Sequence, residues 1–328
     1  MIIRFINFWQ NSEPQQKLFF IPLLERVFET KMTVTKNPED KVDLELVSVF
    51  KPHLNLGKRV VRKISRLRTS PHLVLPESAG NSWQQPMWGW KPGREFGEVS
   101  KKAKRRIWFT GENKRPPLDE PFNSFLSFEM EGLAPGVHYL PIWVLLFDNF
   151  NLGPAIGFTS KIPSQENLLK PRVADRSFFE SRKFCCSFIG NPLGFRIGIL
   201  NELGKVDSID TFGSAYGRTV RDKFDVASRY NFSFAFENAL YPGYVTEKLL
   251  ESYICENVPI YWGDDVSGFF NRHSFINFHS HQTVHSFVDK VKLISSNFEL
   301  YAEMYSQPLL KKPYSINDLV IGLKSDLL

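Results

Sequence analysis

The stretch from Phe232 to Tyr253 gathers residue types suited to anions and sugars at one junction. Asn238, Tyr244, Glu247 and Lys248 lie between two patterned runs. Phe232, Phe234 and Phe236 alternate as in a half-buried strand. Val245, Leu249, Tyr253 and Ile254 recur at helical spacing and would face a sheet. Pro242-Gly243 marks the turn between them. A helix start offers unpaired N–H groups and the positive end of the helix dipole to an anion. Lys248 adds a full charge in that first turn. Glu247 can accept hydrogen bonds from ribose or sugar hydroxyls, and Asn238 can both donate and accept. Each has an ordinary explanation when taken singly. Lys248 and Glu251 could form a surface i,i+3 pair worth about 0.2–0.5 kcal/mol, Glu247 could merely favour the dipole, and the Tyr244 ring could pack under the turn. Their convergence at one strand-to-helix junction points instead to a bound anion.

Such a junction needs a parallel sheet, in which ligands bind beyond the carboxyl ends of the strands. The chain alternates accordingly. Ile2 to Phe8, Met32 to Thr35, Val42 to Val49 and Arg106 to Phe109 read as strands. Gln16 to Phe28 reads as a helix kinked or started by Pro22. Between Asn151 and Arg176 no period holds, and Gly153, Pro154, Gly157, Pro163 and Pro171 mark a connection. Alternation then restarts with strands at Phe184–Ile189, Ser208–Phe212, Phe232–Phe236 and Val258–Trp262, and helices at Phe195–Leu203 and Val245–Cys255. The expectation is an α/β protein of two Rossmann-like domains facing a cleft. Residues 1–155 would form one domain and 156–328 the other, with the last helix packing back on the N-terminal half.

The 328 residues are ample for two cores, and 42% apolar with 23% charged residues is an ordinary globular composition. The formal charge of +6 suits anionic partners without choosing among them. Cys185, Cys186 and Cys255 are too few for a disulfide scaffold, and no His joins them at zinc-ligand spacing. No signal-peptide pattern or membrane-length apolar run is present, so a cytoplasmic protein is expected. The basic stretches Lys58–Arg68 and Lys101–Arg106 read as solvated faces. Their sharper reading is peripheral contact with an anionic membrane or glycolipid phosphate. No nucleic-acid-binding pattern accompanies them, and no nucleic acid partner is expected.

Phe236-Glu237-Asn238, Tyr244-Val245-Thr246-Glu247-Lys248 and Val258-Pro259-Ile260-Tyr261-Trp262-Gly263 together resemble the donor signature of family 10 glycosyltransferases, the α-1,3/4-fucosyltransferases, and their bacterial members most of all. Asn191-Pro192-Leu193-Gly194-Phe195-Arg196 is similar to the family segment whose arginine meets the donor diphosphate. Phe109-Thr110-Gly111-Glu112-Asn113 is similar to the segment carrying the catalytic base, and Tyr139-Leu140-Pro141-Ile142-Trp143 matches in character. The resemblance touches separated points from Trp108 to Phe278. The long heptad-repeat tail of some bacterial members is not seen.

The resemblance implies a GT-B enzyme that moves L-fucose from GDP-fucose, with inversion, to an oligosaccharide or glycolipid hydroxyl, α-1,3 or α-1,4 to GlcNAc or Glc. It makes Glu112 the general base, Arg196 and Lys248 the clamps on the leaving diphosphate, and Glu247 a partner of donor hydroxyls or of developing positive charge. Asn238 and Tyr244 become donor contacts, and Arg218 and Lys223 further phosphate candidates. No metal is required, since the cations and the helix start meet the charge; a divalent ion would at most stimulate. Asp264-Asp265 are adjacent and point apart. Trp83, Trp88 and Trp90 are either packing residues or platforms for an acceptor sugar. Two rival readings remain: a two-domain glycosyltransferase using another nucleotide sugar, and a non-catalytic protein binding polyanions or membranes.

Overall fold

The computed structural model describes residues 1–8, 12–49, 103–130, 134–157, 161, 163–192, 194–264 and 268–328. The basic stretch Lys58–Arg68, residues Lys101 and Lys102, the tryptophans 83, 88 and 90, and Asp265 lie outside the described residues.

The N-terminal half holds β1 (Ile2–Ile6), β2 (Thr33–Val34), β3 (Leu44–Val47), β4 (Arg105–Phe109), β5 (Ser124–Ser127) and β6 (Val137–Tyr139). They form one sheet in the order β2-β1-β3-β4-β5-β6. The C-terminal half holds β7 (Lys183–Phe188), β8 (Ile209–Phe212), β9 (Tyr230–Phe236), β10 (Val258–Trp262) and β11 (Ile276–Asn277), in the order β11-β10-β9-β7-β8. Every pairing in both sheets is parallel. The helices are α1 (Glu13–Gln15), α2 (Ile21–Phe28), α3 (Gln165–Leu168), α4 (Arg176–Glu180), α5 (Gly194–Leu203), α6 (Lys223–Ala227), α7 (Glu247–Ile254), α8 (Val284–Ser295), α9 (Phe298–Ser306) and α10 (Ile316–Leu327). No described strand falls between β6 and β7, where the punctuated connection was expected.

The helix expected over 16–28 begins earlier and changes pitch. A π-helical turn spans Gln16–Phe20, and α2 starts with Pro22 in its first turn. Proline has no N–H to give to the carbonyl four residues back, so the wider turn sits where an α-helical bond would be lost. The buried Leu23, Leu24 and Val27 of α2 share a core cluster with Ile3, Leu44, Leu46 and Ile107 of the sheet.

Strand β9 is buried along its whole length. Its two faces serve different cores, as the alternating phenylalanines predict. Phe232, Phe234 and Phe236 pack with Phe195 of α5 and Phe287 of α8. Ala235, on the other face, packs with Leu249 and Tyr253 of α7. All three cysteines are buried and unpaired, two of them in β7.

Among the described residues several ties join the halves, two of them away from the cleft. One is aromatic: Trp143, in a buried 3-10 turn (Ile142–Leu146), packs on Phe269, Phe270 and Tyr314 with ring centres 5.5–5.8 Å apart. The other is α10, which returns to the N-terminal half and packs on α2, β5 and β6. Asp326 there meets His138 Nε2 at 2.6 Å and Ser124 Oγ at 3.0 Å, and the Leu327 carbonyl accepts from Arg105 Nε at 2.6 Å.

The halves approach closely at Gly243. Its φ is +84°, and a Cβ there would lie 2.0 Å from the Phe128 carbonyl oxygen. Its own carbonyl accepts from Tyr139 Oη at 3.2 Å. Gly243→Ala must both strain the backbone and push the halves apart, at a cost on the order of 2 kcal/mol or more. A denaturant midpoint equal to wild type would contradict this close packing.

Candidate active site

The site is assembled where β9 ends. Glu237, the first residue past the strand, is fully buried. Its Oε1 accepts from the Thr246 backbone N–H at 2.7 Å. Its Oε2 accepts from Thr246 Oγ1 at 2.6 Å and from Lys248 Nζ at 3.0 Å. Lys248 Nζ also donates to Thr246 Oγ1 at 2.7 Å. Thr246 is the N-cap of α7, yet its own hydroxyl does not cap the helix. A carboxylate nine residues earlier ties down the helix start instead. Gly263, after β10, leaves the space this carboxylate needs, since a Cβ there would fall 2.7 Å from Glu237 Cγ.

Next to this knot lies a cavity of about 410 Å³, lined in part by Arg196, Lys223, Asn238, Glu247, Lys248 and Glu251. Arg196 is 2% exposed and comes from the first turn of α5. One guanidinium nitrogen donates to Asn238 Oδ1 at 2.8 Å and to the Asn191 carbonyl at 3.3 Å. Both acceptors are neutral, and Arg196 Nε has no partner. Burial lowers its pKa, against the pull of Glu237, Tyr244 and Glu247. Arg196 is therefore a desolvated cation placed for an anionic ligand.

Lys248 is not such a cation, because Glu237 already neutralises it. Burial works against its charge, but Glu237 and Glu247 prevail and hold its pKa above the ordinary value. Glu247 sits between cations in the same way. Burial would raise it, while Lys248 and Lys223 keep its carboxyl below the usual range. Glu247 thus remains an ionised acceptor at the cavity wall.

Glu112 reaches this place from the other half. It follows β4 in a turn held by Thr110, whose Oγ1 accepts from Glu112 N–H and donates to its carbonyl, both at 3.1 Å. Its carboxyl pKa is raised, chiefly by burial. Lys248 opposes that rise, and Glu247 and Glu237 add to it, so Glu112 feels the charges of the C-terminal knot. A second bridge between the halves flanks it. Glu129, 3% exposed, accepts from Arg115 Nε at 2.6 Å and from Tyr241 Oη at 3.1 Å, and the Arg115 guanidinium lies over the Tyr241 ring.

Of the eight residues singled out in the sequence, Arg196, Lys223, Asn238, Glu247 and Lys248 line the cavity, and Glu112 faces the same charges. Two stand elsewhere. Arg218 is exposed on a loop, its guanidinium 4.6 Å from the Phe212 ring centre, and does not line the cavity. Tyr244 is buried under the turn, edge-on to Phe128 at 5.1 Å, and is likewise absent from the lining. Its ring follows the packing demanded by the Gly243 contact. Lys223 lines the cavity but is paired with Glu251 at 2.5 Å rather than unengaged. Glu237 and Thr246 were missed as working residues. Their signal was present, as a carboxylate at a strand end and a hydroxyl at a helix start, but nothing in the spacing pairs them. Among the described residues no group of three or more His, Cys, Asp or Glu is placed to hold a metal ion.

Residues 183–316 match the family model for the glycosyltransferase family 10 (fucosyltransferase) C-terminal region. An α-(1,3)-fucosyltransferase, FucT, of Helicobacter pylori is 32% identical over 231 residues, which cover 62% of this chain and 47% of the relative. The human 4-galactosyl-N-acetylglucosaminide 3-alpha-L-fucosyltransferase 9 is 28% identical over 132 residues, covering 39% of this chain and 36% of its own. The chain thus spans about half the length, or less, of these curated relatives. Along its whole length it shares the fold of a crystallised α1,3-fucosyltransferase with GDP-fucose, at a TM-score of 0.65 and 19% identity, covering 100% of this chain and 90% of that one. Two Rossmann-like halves in the GT-B arrangement are therefore the architecture, and residues 183–316 are similar to the C-terminal region of glycosyltransferase family 10.

Proposed function

We propose that the chain transfers L-fucose from GDP-fucose to a glycan hydroxyl with inversion at the anomeric carbon, α-1,3 or α-1,4 to GlcNAc or Glc. One observation carries the reading: a buried Arg196 with only neutral partners and a proton-avid Glu112 from the opposite half converge on one charged knot. The Helicobacter pylori and human relatives, both named as 3-α-fucosyltransferases, support an α-1,3 linkage, and the solved complex with GDP-fucose supports the donor.

Glu112 takes the proton of the acceptor hydroxyl as its oxygen forms the new bond to the fucose anomeric carbon. The bond from that carbon to the diphosphate oxygen breaks on the opposite face, and GDP leaves with the electron pair. Arg196, held by Asn238, meets the charge that grows on the diphosphate, helped by Lys248 at the start of α7. Glu247 stays ionised and lies where it can bind donor hydroxyls or face positive charge at the sugar ring.

Incubation with GDP-fucose, UDP-galactose and CMP-sialic acid over lactosamine-type acceptors tests the donor, and transfer from either of the latter two alone would overturn it. Glu112→Gln is expected to lower kcat about 10²- to 10⁴-fold with little change in the KM for GDP-fucose. Near-wild-type turnover would remove Glu112 from this role. Because its pKa is raised, the acid limb of the wild-type rate should lie above the ordinary glutamate range.

The same shift predicts a stability effect. A carboxyl with a raised folded pKa stabilises the fold only below its unfolded pKa, and that contribution is lost as pH rises through the folded value. At neutral pH the ionised Glu112 therefore costs stability. Glu112→Gln should melt higher than wild type at pH 7, with the gap closing toward pH 4. Glu237→Gln should do the reverse, leaving Lys248 uncompensated at a cost of about 3 kcal/mol and raising the KM for GDP-fucose. Unchanged melting and KM in that variant would show that the knot is dispensable.

A further inference from the structure

The turn that carries Glu112 is pinned at both ends. Thr110 holds its start, and inside it the Lys114 N–H donates to the Glu112 carbonyl at 2.7 Å. Its far end is Arg115, followed by the buried Pro116 and Pro117. Arg115 Nε donates to Glu129 Oε1 at 2.6 Å. Glu129 is itself fixed, since its N–H donates to Ser127 Oγ at 3.1 Å, at the end of β5.

The far anchor differs from the near one because the other half shares it. Tyr241 Oη donates to the second oxygen, Glu129 Oε2, at 3.1 Å, and the Arg115 guanidinium lies 5.1 Å from the Tyr241 ring centre. Arg115, Glu129 and Tyr241 close a triangle in which each touches the other two. A buried carboxylate needs partners for both oxygens, and here each half supplies one. Tyr241 belongs to the turn that leads into α7, whose first residues bear the donor-side charges. One clasp therefore grips the base-bearing turn of one half and the donor-side turn of the other. Adhesion between the halves does not require this placement, because the Trp143 contacts and α10 already supply it.

We propose that Arg115 is a positioning residue for the transfer: clasped between Glu129 and Tyr241, it sets where Glu112 stands relative to the donor-side charges. The proposal rests on the reading of Glu112 as the base. Glu112 faces Lys114 of its own turn, Lys248 and Glu247 of α7, Glu237 beyond β9 and the Tyr244 hydroxyl. Burial is the chief influence holding its pKa up. A released turn lets water reach the carboxyl, and the pKa falls back toward the ordinary glutamate value.

Steady-state kinetics of the full chain across pH test this, at saturating GDP-fucose over a lactosamine-type acceptor. Tyr241→Phe keeps a ring under the guanidinium and removes only the hydroxyl. It should lower kcat about 3- to 10-fold. Arg115→Met should lower it about 10- to 100-fold, and Arg115→Lys should restore part of that loss. The KM for GDP-fucose should not change in any of them, because none of the three clasp residues lines the donor cavity. The acid limb of kcat/KM for the acceptor, which reports the free enzyme, should move to lower pH. The double variant Arg115→Met/Tyr241→Phe should be no slower than Arg115→Met, since members of one clasp do not add. A contact that only holds the halves together would lower the melting temperature and leave the acid limb in place. An unmoved limb with wild-type kcat in Tyr241→Phe and Arg115→Lys, or losses that multiply in the double variant, overturns the clasp and leaves the base reading intact. Wild-type turnover in Glu112→Gln overturns both.

Discussion

Everything around the cleft leans on the buried carboxylate of Glu237. It neutralises Lys248, takes both the N–H and the hydroxyl of Thr246, and so fixes where α7 begins. A carboxylate with no water around it must collect such partners or lose its charge. That demand makes the geometry rigid: Gly263 clears space for it, and Glu247 is carried to the cavity wall because its neighbours on both sides are held. It also decides which cation is left for a ligand. Lys248 already has its counter-charge, so the unneutralised charge is that of Arg196, whose partners are neutral.

The second constraint is that the site belongs to both halves. Glu112 hangs from the N-terminal sheet, while the charges that act on it stand at the start of α7. A displacement of one ångström between the halves would spoil such an arrangement. The turn 241–244 prevents this by seating Gly243 on the Phe128 carbonyl, with Tyr241 tied to Glu129 beside it. The apolar contacts of Trp143 with Phe269 and Phe270 continue the same seam through the interior.

What could be read in the sequence was whatever repeats locally. The alternation at Phe232, Phe234 and Phe236 marks β9 because each face of that strand meets a different core. The helical spacing from Val245 marks α7. The two- to four-residue strands β5, β6 and β11 are shorter than any period can declare, and their pairing comes from neighbours far away in the chain. Lys248 was read as an open charge because its partner sits across a turn, where no helix spacing points. Arg218 fits a phosphate clamp by residue type, yet its loop carries it out onto the Phe212 ring. The Tyr244 ring packs edge-on to Phe128, and its hydroxyl feels the charges of Glu237, Glu112, Glu247 and Arg196.

The return of α10 across the N-terminal half has a consequence for how the protein is made. Residues 316–327 cover α2, β5 and β6, yet they are synthesised long after those elements. Until then the N-terminal sheet emerges with Ser124 and His138 lacking Asp326, and with the apolar surface that later meets Leu319, Leu323 and Leu327 open to solvent. The two halves cannot mature one after the other as independent beads. The first must wait as an incomplete, chaperone-accessible intermediate for the second to pass by and close it.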